Sequence, residues 1–210
     1  MYIPAAFAEH DRDRLYDFID AYGFGTIITT IDGTPFATHL PMLLDRTSAP
    51  QGRLLGHLAR ANPHWQHLTA SPSLAIFTGP HAYISPRWYE AEHVVPTWNY
   101  TAVHVTGTIR LIEDRDALRE MVTAMTAQYE SSAPQPWVLK DEGPFLDRML
   151  AQIVGFEMTI NMIEGKFKLN QNHPVERQRK VITALRATGG DDRLTMAKMM
   201  EARLSRGEGS

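Results

Sequence analysis

The chain has 210 residues, 43% hydrophobic and 21% charged, with a formal net charge of −3. That length suits one domain with or without an appendage, and the composition is that of a globular protein. The acidic balance gives no general attraction to nucleic acid or anionic lipid, and the lack of cysteine excludes disulfides, thiolate metal sites and cysteine nucleophiles.

In chain order, Met1 to Phe7 lacks the positive start of a signal peptide. No apolar run approaches the roughly 20 residues needed to cross a bilayer, so the reading is a cytoplasmic protein with no membrane contact. Leu15, Phe18, Ile19 and Tyr22 recur at helical spacing and predict a helix from Asp11 to Tyr22. Two β-branched or apolar runs, Phe24–Ile31 and Phe36–Leu44, flank Asp32-Gly33 and predict a hairpin. A third strand follows at Arg53–Leu58. Asn62-Pro63 signals a short helix to about Ala70. Short strands at Leu74–Thr78 and Ala82–Ile84 are expected on either side of Gly79-Pro80, and Ser85 to Pro96 reads as an irregular aromatic stretch.

Asn99–Ile112 predicts a long strand, Arg115–Glu130 an amphipathic helix, Phe145–Val154 a short helix, and the alternating Phe156–Ile163 a half-buried strand. Beyond Val175 two helices are expected, broken at Gly189-Gly190. Without βαβ spacing, the pattern favours a mainly antiparallel barrel with peripheral helices. Residues 174–210 carry eight Lys or Arg against five acids. They read as a helical tail, flexible or partner-facing, behind a domain of residues 1–173.

Four patches hold more polar, aromatic and histidine residues than a core needs. They are Thr38-His39-Leu40-Pro41, Gly56 to Trp65, Tyr83 to Tyr100, and Glu164 to Asn172. In the second, Arg60 lies beside the helix start at Asn62, where free N–H groups favour phosphate, although a lone arginine there is more often a surface residue than a ligand. Trp88, Tyr89, Trp98 and Tyr100 suit either packing or stacking on a planar ring. Lys166 and Lys168 leave one face of a strand, as a solvated edge or a phosphate clamp would require. His64 and His67 share a helix face, yet no third ligand stands at metal spacing. Haem needs only one axial imidazole in an apolar slot, so His39 or His57 keeps that cofactor open. No Walker loop, Gly-x-Gly-x-x-Gly or Gly-x-Ser-x-Gly is present.

Taken in order, Met1-Tyr2-Ile3-Pro4, Thr38-His39-Leu40-Pro41, His57-Leu58-Ala59-Arg60-Ala61-Asn62-Pro63, Tyr83-Ile84-Ser85-Pro86, Val95 to Tyr100 and Lys166 to Asn172 resemble the PaiB family. That family is described as FMN-binding negative transcriptional regulators with a split β-barrel fold. The resemblance covers about residues 1–173. It implies a homodimer with FMN in a groove at the interface and the Trp88–Tyr100 stretch against the partner. It assigns Arg60 to the phosphate, with Thr38, His39, His57 and Asn62 along the groove and Trp98, Asn99, Lys168 and Gln171 closing it. Asn170 stands where the family often has serine.

A second branch of the family resembles piperazate synthases, which use haem to join two nitrogens of a hydroxylated ornithine. The shared residues are His57 to Trp65 and Phe167-Lys168-Leu169-Asn170-Gln171. Three functions stay open on this reading: a flavin oxidoreductase, a haem enzyme and a ligand-sensing regulator. DNA binding comes with the family description alone, because no segment reads as a helix-turn-helix and the barrel region is acidic.

Overall fold

The computed structural model of the chain describes residues 1–48, 50–140 and 143–207. Its strands are β1 (Ala8–Glu9), β2 (Phe24–Ile31), β3 (Thr34–Pro41), β4 (Leu43–Asp45), β5 (Arg53–Ala59), β6 (Ser73–Ile84), β7 (Thr97–Ile112) and β8 (Ile153–Lys168). Five α-helices accompany them among the described residues: α1 (Arg12–Ala21), α2 (Arg115–Glu130), α3 (Pro144–Leu150), α4 (Val175–Thr188) and α5 (Asp191–Gly207). The sheet runs in the order β3-β2-β6-β7-β8-β5-β4, and β1 pairs with β8. This is the mainly antiparallel split barrel with peripheral helices that the sequence predicts.

Hairpin β2–β3 turns at Asp32-Gly33, both at positive φ (49° and 78°), as a tight two-residue turn requires. Its register places Ile31 opposite Thr34 and Phe24 opposite Pro41. The second run of that hairpin does not continue to Leu44. Met42 donates its N–H to the Gly23 carbonyl (2.8 Å), and Leu43–Asp45 pairs instead with β5.

Two other expectations are corrected. Gly79-Pro80 does not split a strand, and β6 passes through it unbroken. Proline lacks only the N–H, and here its carbonyl still accepts the Thr101 hydroxyl (3.3 Å). The helix expected over Phe145–Val154 stops at Leu150, and the β-branched Ile153-Val154 already belong to β8.

Contacts divide the chain into two compact units. The first holds Met1–Leu15, Thr78–Val103 and Glu164–Ser210; the second holds Tyr16–Phe77 and His104–Ile163. In the first, α4 and α5 bury Val181, Leu185, Met196 and Met200. In the second, Leu118, Met121 and Met125 of α2 join Ile112, Leu146 and Leu150 in one cluster, matching the helical period seen in the sequence. Asp114 caps α2, its Oδ1 accepting the N–H groups of Asp116 (3.1 Å) and Ala117 (2.9 Å). At Gly107 a Cβ would lie 2.1 Å from the Thr159 carbonyl oxygen, so β7 can approach β8 this closely only as glycine.

Candidate functional site

In the second unit the predicted residues Thr38 and Asn62 come together around a histidine. His64 is fully buried, with Nε2 at 2.7 Å from Thr29 Oγ1 and Nδ1 at 2.8 Å from Thr38 Oγ1. Asn62 donates from Nδ2 to the same Thr38 oxygen (3.1 Å) and accepts the His64 backbone N–H at Oδ1 (3.0 Å). Burial, with His67 nearby, pushes the His64 imidazole below the usual histidine value, so it stays neutral. The segment after Asn62 is one 3₁₀ turn, Pro63–His67, rather than a helix to Ala70. Its cap already occupies the N–H nearest the start, which leaves less for an anion than a full helix offers. The grouping holds β2, β3 and this turn in register. The sequence offered a signal for it, because Thr29 follows Gly25 and Ile27 on the buried side of β2, and a buried hydroxyl needs a partner.

Arg60 is committed to protein oxygens. Nε donates to the Ala151 carbonyl (3.1 Å), Nη2 to the Ile153 carbonyl (3.2 Å) and Nη1 to Glu113 (3.1 Å), while the guanidinium lies over the Trp65 ring. His39 is exposed on β3. His57 lines a cavity of about 370 Å³ with Pro41, Met125 and Tyr129. Its Nδ1 is buried with no hydrogen-bond partner, and burial lowers its basicity.

In the first unit, Lys166 and Lys168 leave the same face at the end of β8. Lys166 is buried, donates to the Tyr2 carbonyl (3.1 Å) and lies 5.1 Å above the Tyr100 ring. Lys168 donates to the Thr97 hydroxyl and lies 5.9 Å above Phe7. Among the described residues neither lysine has a carboxylate partner. Burial holds the Lys168 ammonium below the usual lysine range; Lys166 adds to this and Tyr100 opposes it.

The remaining predicted residues divide by environment. Trp98 is half-exposed beside His81 and Tyr83. Asn99 is fully buried, its Nδ2 directed at the Met200 sulfur (3.5 Å) and its Oδ1 without a partner. Gln171 closes the turn after β8, with Oε1 accepting the Leu169 N–H (2.6 Å) and Nε2 donating to the Phe167 carbonyl. Asn170 adopts φ +63°, a conformation asparagine tolerates well, and donates to the Tyr89 hydroxyl (3.0 Å). Among the described residues no group of three or more His, Asp or Glu gathers to hold a metal ion.

Residues 1–162 match the family described as "Putative FMN-binding domain". The chain belongs to that family. It is 36% identical over 208 residues to Protease synthase and sporulation protein PAI 2 of Bacillus subtilis, covering 98% of this chain and 99% of that one. Among solved structures it shares the fold of the FAD and heme binding protein of Mycobacterium smegmatis, with a TM-score of 0.61, 18% identity, and 88% and 80% of the two chains covered. The flavocytochrome Anf3 of Azotobacter vinelandii is also similar, with a TM-score of 0.60, 14% identity, and 77% and 69% covered. No helix among the described residues is long and apolar enough to cross a membrane.

Proposed function

We propose that this chain is an FMN-dependent redox protein of the PaiB type, working as a homodimer in the cytoplasm, with Lys166 and Lys168 holding the FMN phosphate. The observation that carries the reading is the lysine pair. Two cations two residues apart, partly withdrawn from water and without a carboxylate, form a favourable seat for an anion. The Thr97 hydroxyl and the Tyr2 and Tyr100 rings beside them suit the polar chain and planar ring of a flavin. When bound, FMN supplies a ring that accepts and returns a hydride or single electrons. The residues named here bind and orient it.

The haem alternative gains less from these side chains. A ligating imidazole ordinarily donates its second N–H to an acceptor, and Nδ1 of His57 is buried without one. His39 stands in the open on β3 rather than in an apolar slot. The test is reconstitution of the purified chain with FMN, riboflavin and haem separately, followed by absorbance. Saturable FMN uptake, tighter than riboflavin, is the expected result. A sharp Soret band with negligible FMN uptake overturns the reading.

A further inference from the structure

We propose that the cavity beside α2 in the second unit binds a small organic cation, an apolar body carrying one ammonium group. This inference concerns a different place from the lysine pair and stands whether or not the FMN reading does. The cavity measures about 590 Å³, within the range of small-molecule sites. Its floor is apolar, built by Leu43, Leu55, Ile112 and Met121. Ala117 and Ala124 of α2 leave room there, because each presents only a methyl group.

The charge around that floor is unbalanced. Five carboxylates line the cavity against two guanidiniums. Arg53 bridges Asp45 (3.0 Å) and Glu157 (2.8 Å), and Arg110 also pairs with Glu157 (3.1 Å), so those four groups largely neutralise one another. Asp114 is spent on the α2 cap, and Glu113 pairs with Arg60 from outside the lining (3.1 Å). Glu120 has no ion-pair partner among the described residues, and it is exposed on the face of α2 that lines the cavity. An apolar group on the floor places an attached ammonium among Glu120 and its acidic neighbours. A metal ion is a poor occupant, because no metal-ligating cluster forms among the described residues. An anion meets net negative charge.

The experiment is calorimetric titration of the full chain with 2-phenylethylamine, its neutral isostere 2-phenylethanol, and 3-phenylpropionate. The amine is expected to bind roughly tenfold more tightly than the alcohol, as one charge-assisted contact would give, and the carboxylate not detectably. Glu120→Gln should bring the amine down to the level of the alcohol and leave the alcohol unchanged. Ala124→Trp, which fills the cavity, should abolish both while preserving the melting temperature. Ala117→Leu gives the same readout should the larger residue disturb folding. The proposal fails if the amine gains nothing over the alcohol, if the carboxylate binds best, if Glu120→Gln changes nothing, or if amine binding survives both filling substitutions.

Discussion

His64 Nε2 lies 2.7 Å from the hydroxyl of Thr29, and both residues are buried. Removing the imidazole would leave that hydroxyl without its partner and open a space beside it. His64→Ala should therefore destabilise the protein by about 2–4 kcal/mol in urea unfolding, from a lost buried hydrogen bond and a cavity together. Because burial lowers the folded-state basicity of His64, its contribution is fully present above the unfolded value of about 6.5. It is lost as pH falls and the unfolded chain takes up the proton. The wild type should lose stability between pH 7 and pH 5 more steeply than the variant.

Asp45 offers a second pH test with a different window. The Thr47 hydroxyl contributes most to holding its carboxyl at about 2; burial opposes this, and the Ser48 hydroxyl, the Thr47 N–H and Arg53 reinforce it. A depressed carboxylate stabilises the fold above the unfolded value of about 3.9, and that share disappears as pH falls toward the folded value. Asp45→Asn should cost about 1 kcal/mol at pH 7, discounted for partial exposure. The difference from wild type should shrink between pH 4 and pH 2. A gap that stays constant over that range would assign the loss to packing.

Arg60 separates two roles that the sequence cannot. Its guanidinium ties the Ala151 and Ile153 carbonyls at the start of β8 to the end of β5. Arg60→Ala should lower stability by about 1–2 kcal/mol while leaving the ratio of FMN to riboflavin affinity unchanged. A selective loss of FMN, measured by fluorescence titration of both ligands, would return the phosphate to Arg60.

The sequence makes the fold legible where local chemistry and tertiary demand agree. Asp32-Gly33 needs positive φ and obtains it, and Leu118, Met121 and Met125 share one face and bury it. It misleads where a residue's usual role is not the one in force. Gly79-Pro80 resembles a break, yet β6 passes through it, with the Pro80 carbonyl accepting the Thr101 hydroxyl. His64 and His67 resemble half a metal site, whereas His64 spends both ring nitrogens on threonines of β2 and β3. Within the family motifs, Gln171 and Asn99 carry polar groups that suit a ligand. The turn after β8 takes both polar ends of the first, and α5 packs against the second. Side-chain type marks a patch; only the three-dimensional partners decide which atoms remain available.

Lys168 is the residue on which the cofactor reading turns. Its ammonium is partly withdrawn from water, bonded to the Thr97 hydroxyl and close enough to Lys166 for the two charges to repel. A phosphate between them would relieve that repulsion, and riboflavin, which lacks the phosphate, would not. Lys168→Met should therefore weaken FMN about ten- to a hundredfold, the loss of one charge-assisted contact of about 1.5–3 kcal/mol, and change riboflavin by less than about twofold. Lys168→Arg should restore most of the difference. Proton linkage gives an independent sign. Without ligand the ammonium titrates below the usual lysine range, and a bound phosphate raises it, so FMN binding should take up protons in alkaline buffer. Titration calorimetry in two buffers of different ionisation enthalpy reads that uptake directly, with riboflavin as the reference. Equal weakening of both ligands in Lys168→Met, with no proton uptake specific to FMN, would make the lysine pair structural and move the phosphate elsewhere.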